Sequence, residues 1–365
     1  MNAKIKLRYP IVALAILSLL IAMWGGLIRI DWQLPAGIEI IPRIHGPLMI
    51  AGFMGILIGL ERAVALQKWW TYLGPIFNAI GTAILLASIN SQLGILFVTL
   101  GSMMMLAMFI VMIRQHMALH SITMTLAVVV LVIGNLIWLD GNGVSRVVFW
   151  WAGFLILTIV GERLELSRVQ RLDRRAHILY TIAVGIFMLG LMVNTAESFS
   201  WLTLSFDVGA RILGLGLIAL AAWLWRFDIA RRTIRQRELT RFIAACLLAG
   251  YFWLIISGGT LLVFGSVISG PPYDAILHTI FIGFAMSMIF GHAPIVFPAV
   301  LNRALVYKPT FYIHLVLLHA SLVVRILGDW ARIDAVRQWG AMFNAIAILI
   351  FLIVTVMNIV QNARK

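Results

Sequence analysis

Runs of about 20 apolar residues recur from one end of this chain to the other. Each run is long enough for a helix to cross a hydrocarbon core of ~30 Å at ~1.5 Å rise per residue. A membrane strand would instead alternate polar and apolar positions. Of the 365 residues, 62% are hydrophobic and only 12% are charged, against roughly 25% charged in soluble domains. Most of the chain must therefore lie in lipid.

These runs predict an all-α polytopic membrane protein with about twelve transmembrane helices. The spans are expected near 10–29, 45–66, 70–89, 92–113, 119–139, 146–165, 177–194, 207–226, 241–265, 274–298, 309–327 and 338–360. No linker rich in Pro, Gly or Ser divides them, so residues 1–365 are predicted to form a single transmembrane domain. The first span follows basic residues as a signal peptide would, but it lacks a small-residue cleavage site, which predicts a retained first helix.

The net charge of +14 is distributed unevenly over the predicted loops. If the N-terminus is cytoplasmic, seven of the 28 basic residues fall at outer ends: Arg29, Arg43, Arg146, Arg211, Arg325, Arg332 and Arg337. The other 21 are cytoplasmic, as the positive-inside rule requires. We therefore predict a multi-pass protein of the cell inner (cytoplasmic) membrane with both termini in the cytoplasm. The basic surplus faces anionic lipid of the bilayer, so no nucleic-acid partner is expected.

Two histidines stand out, because ionisable groups inside a membrane are costly and usually functional. His45 opens the second span and His278 lies one turn into the tenth. Both spans run inward from the outer face, so the two imidazoles are expected at similar depth, the minimal arrangement for a bis-histidine haem. The small residues that would admit a macrocycle are Gly46, Gly52 and Gly55 near His45, and Gly283 near His278. The alternative is that the two histidines are unrelated and only make hydrogen bonds.

A second metal site is a further hypothesis. His292 follows His278 by fourteen residues, which places it about 40° round the same helix face and about 21 Å deeper. His314 in the eleventh span is the best-placed partner, with His319 as the other candidate. Copper or a second haem would suit such a site. Because Pro294 and its neighbour Pro298 bend the helix nearby, His292 could instead bond freed carbonyls.

One segment resembles a known helix. The sequence Arg43-Ile-His45-Gly-Pro-Leu-Met49-Ile-Ala-Gly52-Phe-Met is similar to the second helix of haem–copper oxidase subunit I, where an H-G-x-x-M pattern supplies an axial ligand of the low-spin haem. The resemblance implies twelve spans and a second axial ligand on the tenth, where His278 stands. The oxidases also carry a second tenth-helix histidine two residues from the first, and copper ligands on the sixth and seventh helices. Here Ile276 and Ile280 stand two residues from His278, the sixth span has no histidine and the seventh has only His177 at its end, so oxygen reduction by that mechanism is not expected.

A closer resemblance is to the NnrS-like membrane proteins, which are associated with haem, copper and nitric-oxide tolerance. They share an early histidine followed by a methionine and a Gly-Phe pair, here His45, Met49 and Gly52-Phe53. They also share a late His-x-x-x-x-Gly pattern, seen here from His278 to Gly283 in a segment that continues to His292. The resemblance implies a haem b protein of redox or nitric-oxide stress physiology, with Met49, Gly52 and Gly283 near the cofactor. A membrane or periplasmic electron-transfer partner would follow. Whether the chain is an enzyme stays open.

The rival hypothesis is a secondary transporter of a small solute without haem. The middles of the predicted spans lack the carboxylates that usually couple such transport to protons or sodium. Two further interpretations concern charges at helix ends. Asp274 could orient His278 or, as the more ordinary alternative, cap the tenth helix. Glu162 and Arg163, at the end of a span, are expected to form an interfacial ion pair, with the inner mouth of a proton path as the alternative.

Overall fold

The computed structural model describes residues 3–35, 40–301, 303 and 305–363. Throughout these residues the secondary structure is helical and no strand occurs, which confirms the all-α prediction. Eleven of the described helices are long and apolar enough to cross a membrane. The extreme termini, which were predicted to be cytoplasmic, lie outside the described residues.

The helices follow the predicted spans in order. They are α1 (Ala3–Arg29), α2 (His45–Leu66), α3 (Trp70–Leu86), α4 (Ser91–Gln115), α5 (Leu119–Leu139), α6 (Val144–Leu166), α7 (Arg174–Ser198), α8 (Val208–Phe227), α9 (Glu238–Phe264), α10 (Gly270–Leu301), α11 (Phe311–Ala331) and α12 (Asp334–Ala363). Only α3 among them is too short to count as a candidate span. The end of α11 lies four residues beyond its predicted end at 327. The predicted outer loop between spans eleven and twelve is therefore mostly helix.

The chain forms two compact units. The first comprises residues 1–154 and 295–304. In it, α2 packs against α1 and α3, and α4 packs between α3 and α5. The side chain of Arg8 on α1 donates to the Tyr72 hydroxyl at 3.1 Å and to the Val300 carbonyl at 3.1 Å. This contact ties the last turn of α10 into the first unit.

The second unit comprises residues 155–294 and 305–365. Its helices α7 to α10 pack each on the next, α11 packs on α10, and α11 and α12 form a hairpin. The connection between α11 and α12 is only two residues long, so the two helices run antiparallel and side by side. Small residues allow this close packing, as is usual for helices in lipid.

Both α2 and α10 contain an eight-residue π-helical segment. In α2 it covers Leu48–Gly55, and in α10 it covers Thr279–Met286. Such wide turns are rare and occur frequently at functional sites. Each segment begins within three residues of a histidine singled out by the sequence, His45 in α2 and His278 in α10. The two units thus share one local feature, a histidine at the start of a π-helical segment.

Candidate functional site

His45 is the first residue of α2 and is held against α1. Its Nδ1 atom lies 2.6 Å from the Ala22 carbonyl oxygen, and since a carbonyl only accepts, Nδ1 carries the hydrogen. A Cβ added at Gly26 would lie 2.8 Å from Cε1 of His45, so the ring fits only because α1 has a glycine there. In the neutral imidazole the lone pair is therefore on Nε2. Met49, one turn later, packs against the apolar cluster that includes Ala22 and Leu48.

Gly52 belongs to the π-helical segment of α2. A Cβ added there would lie 2.9 Å from the Ser18 side chain on α1 and 2.9 Å from the Thr82 methyl group on α3. The missing side chain thus lets three helices of the first unit approach closely, and packing alone explains this glycine. The prediction that Gly52 contacts a cofactor stays a prediction.

His278 lies in a network of charged groups in the second unit. Its Nδ1 atom is 2.9 Å from the Asp274 carbonyl oxygen and 3.1 Å from the Asp274 carboxylate. Its Nε2 atom accepts a hydrogen bond of 3.2 Å from the guanidinium of Arg325. Both contacts favour the same neutral tautomer, with hydrogen on Nδ1. Asp274 therefore orients the imidazole. The capping interpretation is wrong, because the helix begins after Ser269.

Arg325 on α11 binds Asp274 through two parallel hydrogen bonds. The Nε–Oδ2 and Nη2–Oδ1 distances are 2.7 and 2.8 Å, the bidentate geometry of a strong charge-assisted pair. One turn further along α11, Asp329 is only 1% exposed. Neither of its carboxylate oxygens has a hydrogen-bond partner among the described residues. The first turns of α10 and the last turns of α11 thus hold a mostly buried ion pair and a buried acid.

Gly283 and His319 both contact Trp253 of α9. A Cβ added at Gly283 would lie 2.4 Å from Cγ of Trp253, so the indole occupies that space. The indole nitrogen of Trp253 donates to Nδ1 of His319 at 2.9 Å, and Nε2 of His319 is 3.2 Å from the Ser287 hydroxyl. That hydroxyl in turn donates to the Cys246 carbonyl at 2.7 Å. Both nitrogens of His319 are thus bonded to protein groups that join α9, α10 and α11.

His292 and His314 differ in their surroundings. The Nδ1 atom of His292 is 2.8 Å from the Met288 carbonyl one turn earlier, which leaves the neutral lone pair on Nε2. His314 is 2% exposed, and within the described part of the chain neither of its nitrogens has a hydrogen-bond partner. Its ring lies among four phenylalanines, Phe242, Phe290, Phe311 and Phe351, at centroid distances of 4.8 to 6.1 Å. His314 is therefore an imidazole in an apolar enclosure.

No group of three or more His, Cys, Asp or Glu among the described residues could hold a metal ion. A haem iron needs only two axial protein ligands, because the macrocycle supplies the rest. His278 contacts Asp274 and Arg325, which belong to the second unit as it does. His45 belongs to the first unit, where it contacts Ala22. The metal and cofactor assignments of His45, His278, His292 and His314 stay predictions.

A second buried ion pair lies at the other end of the second unit. Arg163 on α6 places Nε 2.5 Å and Nη2 2.9 Å from the two carboxylate oxygens of Asp228, which follows α8. Both side chains are almost fully buried. Asp228 also accepts from the Ala230 backbone nitrogen at 2.6 Å. The guanidinium of Arg163 thus fixes the turn after α8. The predicted interfacial ion pair of Arg163 with Glu162 stays a prediction.

A comparison with known families gives one match. The family model described as "Domain of unknown function (DUF8744)" matches residues 8–360. The chain belongs to this family. No similar chain was found among curated proteins or solved structures. The matched DUF8744 segment contains all the histidines and charged residues discussed above.

Within this DUF8744 segment, sequence reasoning missed three functional candidates: Arg325, Asp329 and Asp228. A signal for Arg325 was present, because it lies inside the predicted span 309–327 and a charge inside a span is a functional hypothesis by default. Asp329 gave no such signal, since it lay in a predicted loop. Asp228 pairs with a residue 65 positions away, and one sequence does not reveal such a pairing.

Proposed function

We propose that this protein is a haem b protein of the cell inner (cytoplasmic) membrane, with twelve spans and cytoplasmic termini. His45 and His278 would be the axial ligands of a haem near the outer face. Its proposed work is electron transfer in redox or nitric-oxide stress physiology. One observation carries the proposal. In each unit a histidine precedes a π-helical segment and donates from Nδ1 to a main-chain carbonyl. This is the orientation that second-shell contacts impose on ligating imidazoles.

The surroundings of His45 fit an axial ligand. Its ring is fixed by Gly26 and the Ala22 carbonyl, and its neutral lone pair is on Nε2. A ligand held in this way loses little further freedom on binding iron. Met49 and Gly52 are the neighbours that the resemblance places near the macrocycle.

His278 fits an axial ligand on one condition. Arg325 donates to its Nε2 atom, and iron would need that lone pair. Giving up one hydrogen bond to a charged group costs about 1.5–3 kcal/mol. Both bonds from Arg325 to Asp274 would survive. His278 would thus bind iron only after Arg325 gives up its hydrogen bond to the Nε2 atom.

The second metal site, proposed at His292 and His314, would hold copper or a second haem. It is supported by the tautomer of His292, which leaves the lone pair on Nε2, and by the unpartnered nitrogens of His314. His319 is the weaker candidate, because Trp253 and Ser287 already bond both of its nitrogens.

Electron transfer is favoured over gas binding, because two imidazole ligands leave no open position on the iron. The partner would then be another membrane protein or a periplasmic electron carrier. Adding nitric oxide or carbon monoxide to reduced protein distinguishes the two roles. An unchanged spectrum supports electron transfer, and a shifted Soret band supports a gas-binding haem.

The test of the proposal is an absorption spectrum of protein purified in detergent from haem-replete cells. Wild type should show a Soret band and sharp reduced α and β bands. These bands should be lost in His45→Ala and in His278→Ala. The exposed His177, on α7, supplies the matched control His177→Ala, which should keep the bands. A folded but colourless wild type would overturn the proposal.

A secondary transporter of a small solute is the second candidate, and a specific observation favours it. Asp274, Arg325 and Asp329 are ionisable groups that lie buried or mostly buried at adjoining ends of α10 and α11. Ionisable groups of this kind accompany ion and proton pathways in transporters. Uptake of solute into vesicles by colourless protein would establish this alternative.

A further inference from the structure

The charged neighbours of Asp329 among the described residues are Asp274, Arg325 and Arg337. Arg325 is engaged by Asp274 and His278. Arg337, the first-turn arginine of α12, pairs with Asp334 at 3.1 Å. Each arginine therefore already has a carboxylate partner, and Asp329 is an additional acid. Of Arg337, the Nε atom is buried without a hydrogen-bond partner among the described residues.

The packing of α11 on α12 keeps Asp329 away from water. A Cβ added at Gly328 would lie 2.4 Å from the Arg337 backbone nitrogen, and one added at Gly340 would lie 2.4 Å from that of Arg325. The two backbones are thus in direct contact at Arg325 and Gly328, within the turn of α11 that precedes Asp329. An ionised carboxylate whose oxygens have no hydrogen-bond partner is strongly disfavoured in such a place, whereas the neutral acid is far less so.

We propose that Asp329 is a proton-binding site. Its carboxyl group holds a proton while Arg325 is bound to Asp274. When Arg325 turns to it, the proton leaves to the water outside the exposed turn at residues 331–334. Arg325 and Asp329 are four residues apart on α11, a spacing at which side chains on a helix meet. The exchange moves one proton and breaks no other covalent bond. It does not depend on haem, because every group in it is a side chain of the second unit.

The proton also has a route to influence His278. The same Nη2 atom of Arg325 bonds Asp274 and His278. When Arg325 turns to Asp329, the Nε2 atom of His278 loses its donor. Deprotonation of Asp329 and release of the His278 lone pair are therefore expected together.

Infrared spectroscopy of the full-length protein in detergent tests the proposal directly. A protonated carboxylic acid shows a carbonyl stretch above the amide I band, and carboxyl-labelled ¹³C-aspartate shifts it. At neutral pH, wild type should show this label-sensitive band, and Asp329→Asn, which mimics the neutral acid in shape, should lack it. Asp140→Asn is the control, because Asp140 is exposed after α5 in the first unit, and it should keep the band.

A second variant tests the exchange while leaving Asp329 in place. Asp274→Asn removes the carboxylate that holds Arg325, so Arg325 should turn to Asp329 and the band should disappear at neutral pH. Retention of the band in folded Asp274→Asn would overturn the exchange. Absence of the band from wild type, or its persistence in Asp329→Asn, would overturn the proton site itself. The isotope shift in wild type needs no variant, so the proposal stays testable if a variant does not fold.

Discussion

The guanidinium of Arg325 donates to the Nε2 atom of His278 at 3.2 Å while it holds the Asp274 carboxylate through two shorter bonds. One arginine therefore occupies the nitrogen that the sequence predicts as a haem ligand. Asp274 in turn bonds the opposite ring nitrogen. The imidazole is held between a carboxylate and a guanidinium. Its Nδ1 atom therefore carries the hydrogen and its Nε2 atom carries the lone pair. Any ligand of Nε2 must displace this contact.

Removing Arg325 should be severely destabilising. Arg325→Met leaves the Asp274 carboxylate buried without its counter-ion, and breaking a buried pair in this way costs about 3–5 kcal/mol. Asp274→Asn should cost less, because Asp329 is one turn away and can take over Arg325. The measurement is the free energy of unfolding in mixed detergent micelles.

The control for the variants Arg325→Met and Asp274→Asn is Arg332→Met, since Arg332 is exposed at the end of α11. It should change the free energy of unfolding by less than about 0.5 kcal/mol. Equal losses for Arg325→Met and Asp274→Asn would contradict the idea that Asp329 accepts Arg325.

The pair of Arg163 and Asp228 predicts a contrast between a buried and an exposed ion pair. Asp228→Asn leaves Arg163 charged and almost fully buried, with an expected loss of about 3–5 kcal/mol. The exposed pair of Glu165 and Arg168 is the matched control, and Glu165→Gln should cost at most about 1 kcal/mol. Thermal unfolding of both variants in detergent checks the contrast, and similar shifts would refute it.

The fold was predictable because lipid imposes one rule on every span. Long apolar runs must become helices, so their order, and most of their bounds, follow from the sequence. The end of α11 was not predictable in this way. Gly328 and Asp329 suggest a turn, since both residues are frequent in turns. In the structure Gly328 lies against the backbone of Arg337, and this contact between helices carries α11 on past both residues.

The candidate site was predictable only in part. His45 and His278 were singled out because histidines inside spans are rare, and the role of Asp274 was among the interpretations weighed. The π-helical segments were not predicted, because the same apolar residues satisfy an α-helix. Arg163 shows the limit most clearly, since its sequence neighbour Glu162 suggested an interface, whereas burial depends on Asp228, a distant residue.

The contact of Gly283 with Trp253 predicts a steric effect within the α10 π-helical segment. In Gly283→Ala the new Cβ would lie 2.4 Å from the indole, and overpacking of this kind costs about 1–3 kcal/mol. Gly259 on α9 is the control, because an added Cβ there meets nothing within 4 Å. Gly259→Ala should be neutral or slightly stabilising. Unfolding free energies that do not differ between the two variants would contradict this account of Gly283.

His314 allows a test in the opposite direction. Both of its ring nitrogens are buried without hydrogen-bond partners among the described residues, and each such group costs about 1–3 kcal/mol. A phenylalanine would fill a similar volume among the surrounding aromatic rings without that cost. In metal-free protein we therefore expect His314→Phe to unfold at a higher temperature than wild type. His319→Phe, which breaks two hydrogen bonds, should unfold at a lower temperature.

Elemental analysis for iron and copper on the same variants then tests the second metal site. A metal lost in His314→Phe but retained in His319→Phe is the result expected if His314 is a ligand, and an unchanged metal content in both variants counts against it.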